Sequence, residues 1–304
     1  MNNKLDLSVD IAGVTLKNPI TTASGTFAPR EFAQFMDLSE LGGVIVKGIA
    51  NVPWEGNPTP RVAETYGGML NAVGLQNPGV DYFIEHDLPY LEKSGTKIIV
   101  NIAGRTIEDY CEVVEKLADT NVDLLELNIS CPNVKEGGIG FGTSPEMAAK
   151  VTREVKAHSR QPLIVKLSPN VTDIVEIAQA VAEAGADGLS LINTLVGMKI
   201  DVNSKKAVLA NKIGGFSGPA IKPVAVRMVY QVAQAVDLPI IGLGGIMTGE
   251  DAAEFILAGA DAISVGTASF ANPRACIDIK EELINYMNKH GFKTIKEIQD
   301  AFKG

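Results

Sequence analysis

The sequence predicts an α/β protein built as an eight-stranded (β/α)8 barrel. Three observations predict it. Eight short β-rich runs recur along the 304 residues. Several are continuous apolar stretches, the pattern of parallel strands buried on both faces. Helical patterns fall between most of them, and strands alternating with helices are the signature of such a barrel. The phrase Ala-Gly-Ala-Asp, after a helical pattern and before a strand, stands at Ala184–Asp187 and again at Ala258–Asp261, which hints at repeated βα units. The rival architecture is a doubly wound open sheet. It would carry a G-x-G-x-x-G turn, and residues 242–249 (GLGGIMTG) have the wrong glycine order for one.

In order along the chain, residues 5–17 read as an N-terminal hairpin closing the bottom of the barrel. The strands are expected at 18–23, 43–48, 97–102, 123–128, 162–167, 188–192, 239–243 and 262–266. Residues 107–119 space Tyr110, Val113, Val114 and Leu117 on one helical face. Residues 172–184 open on a Thr/Asp cap and end before Gly185; residues 249–258 end before Gly259 in the same way. Two stretches exceed a minimal barrel. Residues 49–80 and 195–220 are long loops rich in Gly, Asn and Pro, each following a strand. That places both at the C-terminal rim, where barrel active sites lie.

Composition narrows the function. A chain with 46% hydrophobic residues and 30 glycines is a packed globular protein, and its length suits one barrel domain over residues 1–304. The net charge of −9, with no long basic run, disfavours a nucleic-acid partner. Cys111, Cys131 and Cys276 are far apart and form no CxxC pair, so the chain has no iron–sulfur or structural zinc motif. Sparse cysteines fit a reducing compartment. Residues 1–10 lack the apolar core of a signal peptide. No apolar run approaches the ~18 residues of a membrane span. A cytoplasmic protein is expected.

The most informative stretch is 123–142, DLLELNISCPNVKEGGIGFG. A strand runs into Asn128, Ser130 and Cys131, and a glycine-rich flap follows. A thiol there serves as nucleophile, metal ligand or proton-transfer group. The bland alternative is a small buried hydrophobe. A residue just past a strand's end faces the mouth, which argues against that.

The other strand ends supply Ser24, Lys47 with Gly48, Asn101, Lys166, Asn193 with Thr194, Gly244 with Gly245, and Gly266 with Thr267. Two lysines and several amides converging on one mouth suit a planar anionic ligand. The loops after strands seven and eight of a barrel commonly hold phosphate, and glycines there permit close approach. Lys166, inside LIVKLSP, reads as a Schiff-base lysine or as a fixed cation; a surface lysine fits that context poorly. Lys47 reads as a rim salt bridge or as a cation for a substrate carboxylate. Asn71 and Asn77 are turn residues or ligand contacts, and Trp54 packs or touches the rim. His86, His158 and His290 lie away from strand ends, so a histidine base is poorly supported. Cys111 and Cys276 lie in helix-like segments and read as packing residues.

The motifs NAVGLQNPG (71–79), NISCPNVKEGG (128–138), VKLSPN (165–170), INT (192–194), GLGGIMTGEDA (242–252) and SVGTA (264–268) resemble those of the class 1 dihydroorotate dehydrogenases. The likeness covers essentially the whole chain and is strongest to the catalytic subunit of the class 1B, NAD-linked type. It implies a TIM barrel with FMN over its C-terminal mouth. It implies oxidation of dihydroorotate to orotate in de novo pyrimidine (UMP) biosynthesis, with the hydride going to FMN and the C5 proton to Cys131 as base. By the same likeness Lys47, Asn71, Ala72, Val73, Gly74, Leu75, Asn128, Asn193 and Thr194 hold substrate. The flavin contacts it implies are Ser24, Lys47, Gly48, Asn101, Asn128, Lys166, Ile192, Gly218, Gly244, Gly245, Gly266 and Thr267. Lys166 would sit near the flavin N1/O2 edge, and the loop 132–142 would close over the substrate. The class 1B type passes electrons to NAD+ through a partner carrying FAD and a [2Fe–2S] cluster. A homodimer of catalytic chains within a heterotetramer is implied. The alternatives are the fumarate-linked class 1A type, a flavin barrel like that of dihydropyrimidine dehydrogenase, a Schiff-base aldolase and a non-catalytic binding barrel.

Overall fold

The computed structural model describes residues 5–130 and 140–304. Two short strands, β1 (Val9–Ile11) and β2 (Val14–Leu16), pair antiparallel as the expected hairpin. Its turn places Ala12 and Gly13 at positive φ, and Asp10 accepts the Gly13 amide at 2.8 Å. The chain continues through β3 (Ile20–Thr22), β4 (Gly43–Ile45), β5 (Val62–Thr65), β6 (Gly68–Asn71), β7 (Lys97–Ile102), β8 (Leu124–Asn128), β9 (Leu163–Lys166) and β10 (Gly188–Leu191). Then come β11 (Leu195–Met198), β12 (Ile200–Asp201), β13 (Lys206–Ala207), β14 (Ile213–Ser217), β15 (Ile240–Leu243) and β16 (Ala262–Val265).

Eight of these strands, β3, β4, β7, β8, β9, β10, β15 and β16, close a parallel barrel in sequence order. All eight fall within the runs the sequence marks. The main core lies between the barrel's outer face and the helices, where Val113, Val151, Val181, Val229 and Phe255 are buried. Helix 107–117 is capped by a reciprocal Thr106–Asp109 pair, and helix 249–257 by Thr248–Asp251. Asp173 caps helix 174–183 through the Val175 amide.

The Ala-Gly-Ala-Asp repeat has a structural reason. Gly185 and Gly259 stand at φ +99° and +111°, which ends each helix sharply. The aspartates then do the same task twice. Asp187 accepts the Leu163 amide at 2.6 Å, and Asp261 accepts the Ile240 amide at 2.8 Å. Each ties off the first free amide of a neighbouring strand. Asp123 holds the Ile98 amide likewise at 2.9 Å.

The barrel interior is layered. At the bottom, Ile45, Ile99, Leu124, Ile164, Ile241 and Ala262 form a dry cluster sealed by Ile11 and Leu16 of the hairpin. Side chains two residues apart on a strand share a face. One step up the same rows stand Lys47, Asn101, Glu126, Lys166, Leu243 and Ser264. The lining thus changes from apolar to polar toward the C-terminal mouth.

The two long rim loops are the one part of the expected architecture that differs. They are not loops alone. β11, β14, β6 and β5 join into a four-stranded antiparallel sheet over the mouth. Asn71 pairs with Gly215 across it. The glycines that blur the strand pattern are there for close approach: a Cβ on Gly68 or Gly215 would fall 2.1 Å from the Ser217 carbonyl or the Thr194 hydroxyl.

Candidate active site

At the C-terminal ends of the barrel strands, beneath the rim sheet, lies a pocket of about 350 Å³. That is the volume range of small-molecule and cofactor sites.

One wall is built by the rim. Asn71 ends β6, and residues 72–75 continue from it along the pocket. Asn57 pins this turn: its amide donates to the Ala72 carbonyl at 3.1 Å and its main-chain N–H to Val73 at 3.0 Å. On the same wall Asn193 and Thr194 follow β10. Asn170 clamps them from the neighbouring strand end. It donates to the Thr194 carbonyl at 3.0 Å and accepts the Val196 amide at 2.9 Å.

Lys47 also lines this pocket and makes no hydrogen bond or ion pair among the described residues. Burial, and then the nearby positive Arg61, hold its ammonium below the usual lysine pKa. An unpartnered, half-buried cation at a pocket wall is a site for an anion. The rim salt bridge is absent among the described residues.

A second stretch of the lining, adjoining Asn193 through the β10–β15 pairing, is main chain. Gly244 and Gly245 follow β15, and Gly266 and Thr267 follow β16. Their N–H groups donate to no other main-chain group among the described residues. Gly244 and Gly245 sit at φ +129° and +84°, and a Cβ on Gly245 would fall 2.8 Å from the Gly218 carbonyl. Only glycine fits there. Convergent free N–H groups on a bare backbone are the donor set a phosphate group needs. Ser24, Gly48 and Ile192 line the pocket beside them.

The floor is polar and dry. Lys166 is 4% exposed, and its ammonium stands 3.7 Å from the carboxylate of Glu126, itself 1% exposed. Asn101 donates to Glu126 at 2.5 Å and Ser190 at 2.7 Å. Asn128, at the end of β8, donates to Asn101 at 3.4 Å. A surface position for Lys166 is thereby excluded.

Two expected site residues do not reach the pocket. Asn101 is fully buried behind Gly48, whose added Cβ would meet it at 2.8 Å. Gly218 stands behind Gly245, packed on Gly68. Cys131 and most of the flap after it lie outside the described residues. Ser130, just before, donates to the Lys166 carbonyl at 2.9 Å and faces the pocket.

His86, His158 and His290 line no part of the pocket. His158 pairs with Glu115, and His86 and His290 lie against Tyr82 and Tyr286. Cys276 is fully buried in helix 275–290, where burial pushes its thiol up to about 12. Trp54 carries the Arg105 guanidinium over its ring at 4.6 Å.

Sequence reasoning missed Glu126, Asn170, Ser217 and Phe270. Asn170 ends the VKLSPN motif and could have been found there. Glu126 had one signal, an acid inside an otherwise apolar strand. Ser217, which accepts the Thr267 hydroxyl at 2.9 Å, and Phe270 needed the fold to bring them to the mouth.

A barrel with a closed bottom and, at its mouth, one pocket that holds a cation, a buried ion pair as floor and a main-chain N–H cradle has the build of an enzyme. A sequence profile of the dihydroorotate dehydrogenase family matches residues 6–287. A protein of Alkaliphilus metalliredigens called dihydroorotate dehydrogenase B (NAD(+)), catalytic subunit, is 68% identical over 299 residues, 98% of this chain and 99% of its own. Proteins with that same name from Alkaliphilus oremlandii and Lachnoclostridium phytofermentans are 63% and 59% identical, over 96% and 98% of this chain and 97% and 100% of their own. The chain belongs to the dihydroorotate dehydrogenase family.

Proposed function

We propose that residues 1–304 form one barrel domain that oxidises dihydroorotate to orotate on FMN, as the catalytic subunit of an NAD+-linked enzyme of pyrimidine synthesis. The observation that carries this reading is the presence in one pocket of Lys47 and of the N–H groups at 244–245 and 266–267, none of them partnered among the described residues. The donor set fits a flavin mononucleotide: one phosphate cradle, and no dinucleotide fingerprint elsewhere in the chain. Ser24, Gly244, Gly245, Gly266 and Thr267 would hold it, with Gly48, Ile192 and Lys166 beside it and Asn101 and Gly218 in support.

When bound, the flavin supplies the acceptor for the substrate's C6 hydride. The remaining work falls to side chains. Lys47 pairs with the substrate carboxylate. Asn71, Asn128, Asn193 and Thr194 hydrogen-bond the ring's amide edges, and residues 72–75 line its face. Asn170 and Asn57 keep these groups in place, which converts substrate binding into orientation. Cys131 removes the C5 proton. An ordinary thiol pKa of about 8.5 lies nearer to working pH than that of a serine hydroxyl, which suits a general base.

A separate electron-transfer subunit follows from the relatives' designation as catalytic subunits. We infer that it carries FAD and a [2Fe–2S] cluster, and that two catalytic chains and two partner chains form a heterotetramer. The three scattered cysteines and the missing dinucleotide turn support this division of labour. No helix among the described residues is long and apolar enough to cross a membrane, and we place the protein in the cytoplasm.

The test is the visible spectrum of the purified chain before and after dihydroorotate, followed by steady-state turnover with NAD+ or fumarate. Bound FMN bleached by dihydroorotate is expected, with NAD+ reduction only when the partner is added. A colourless chain, or FAD on release, overturns the cofactor reading. Rapid NAD+ reduction by the single chain overturns the two-subunit reading. Efficient fumarate reduction assigns the chain to the fumarate-linked type.

A further inference from the structure

Glu126 is the least expected residue of the site. It lies in the middle of β8, an otherwise apolar strand, and is 1% exposed. A buried carboxylate is costly unless it is paired and hydrogen-bonded. Glu126 is both. Its Oε2 accepts from Asn101 at 2.5 Å and lies 3.7 Å from the Lys166 ammonium; its Oε1 accepts from Ser190 at 2.7 Å. The three partners come from β7, β9 and β10, so one side chain gathers three strands at one level of the barrel.

The network is asymmetric. Glu126 does not front the pocket, whereas Lys166 does. The Lys166 ammonium has Glu126 as its only partner among the described residues, at a distance too long for a hydrogen bond. Its N–H groups are therefore held in place but not used up. Asn101 is fixed by the same carboxylate and receives the Asn128 amide on its other side. The carboxylate thus sits behind both a pocket cation and a pocket amide.

We propose that Glu126 is a positioning residue for the flavin site, which fixes Lys166 and Asn101 and offsets the lysine's charge, thereby setting the flavin's reduction potential. The inference rests on the flavin reading above. Two-electron reduction adds negative charge to a flavin, and a cation beside it favours the reduced form. With Glu126 ionised, the buried pair is neutral overall and that pull is moderated. Removing the carboxylate charge leaves Lys166 unbalanced in a dry site, where charge acts strongly.

The test is Glu126→Gln, read by the flavin midpoint potential and by flavin affinity. Glutamine keeps the shape. Its oxygen can accept from Asn101, and its amide can donate to Ser190, whose hydroxyl turns to accept. The expected result is flavin retained within tenfold of the parent affinity. The two-electron equilibrium should shift at least tenfold toward the reduced flavin, ~30 mV. In a Lys166→Met background the buried carboxylate has lost its counter-ion and is expected to take up a proton, so the same Glu126→Gln change should move the potential by less than half as much. Should the glutamine chain fail to fold, Glu126→Asp withdraws the charge by one methylene, and a smaller shift in the same direction is expected. An unmoved potential in a folded, flavin-bearing variant overturns the proposal, as does an equal shift with and without Lys166. A parent chain that binds no flavin overturns the cofactor reading and this inference together, so the two failures are distinguishable.

Discussion

Tyr110 donates its buried phenol to the main-chain carbonyl of Asn128 at 2.8 Å. One helix residue thereby pins the end of β8, three positions before Cys131. Gly104 makes room for the ring: a Cβ there would lie 2.7 Å from it. Tyr110→Phe should lower unfolding stability by about 1 kcal/mol, the usual net contribution of such a bond. Turnover should fall less than tenfold, since Asn128 retains its side chain. Urea unfolding that matches the parent would show that the bond contributes nothing.

Lys47→Met should raise the KM for dihydroorotate about 10- to 100-fold, the typical loss of a hydrogen bond to a charged group. Stability should move the other way. Lys47 titrates below its usual 10.5 in the folded chain, from burial first and Arg61 second. Below that lowered value the lysine is charged whether folded or not, and the fold bears the cost of burying it. Above 10.5 it is neutral in both states and the cost is gone. The methionine variant should therefore melt higher than the parent at pH 7, with the advantage shrinking toward pH 10. Orotate affinity of the parent should weaken over the same rise in pH, as the free enzyme's lysine loses its proton. A methionine variant that melts lower at pH 7 and still binds orotate normally contradicts the assignment.

Gly245→Ala tests the cradle. The new Cβ meets the Gly218 carbonyl at 2.8 Å and the Lys222 Cβ at 2.9 Å, at a φ of +84° that L-residues resist. Strain of about 1–3 kcal/mol is expected. Released-flavin fluorescence should show at least tenfold weaker retention of the mononucleotide. Full retention would place the phosphate elsewhere.

Cys131→Ala should keep the flavin and lose most of its reduction by dihydroorotate near neutral pH, by about 10²–10⁴-fold. Cys131→Ser should keep a small residue of activity that improves at high pH. Stopped-flow bleaching of the flavin measures both. Near-normal rates in the alanine variant exclude the cysteine as base.

The strand-end reading brought together most of the site. Lys47, Asn128, Lys166, Asn193 and the four cradle residues 244, 245, 266 and 267 share one pocket because a parallel barrel turns every strand's C-terminal end to one face. Asn101, from the same reading, and Gly218, which the family resemblance implied, lie one layer back. Strand position gives height in a barrel but not depth behind a neighbour. Gly48 over Asn101 is a contact between two strands, invisible along either one.

What the sequence determined by itself was local or periodic. The eight barrel strands, the Thr/Asp cap before helix 174–183 and the hairpin within 5–17 follow from apolar runs and short-range hydrogen bonds, which act within a few residues. The tertiary structure alone decided the rest. It paired Asn71 with Gly215 in the rim sheet, where the glycines demanded by close approach erase the alternation that marks a strand. Among the described residues it left Lys47 without a counter-ion and supplied one for Lys166. Glu126 and Lys166 lie on adjacent strands, and each by itself reads as a charge at odds with its apolar strand. Only closure of the barrel removes both from water and leaves each as the other's partner, because the cost of burying a charge depends on what surrounds it.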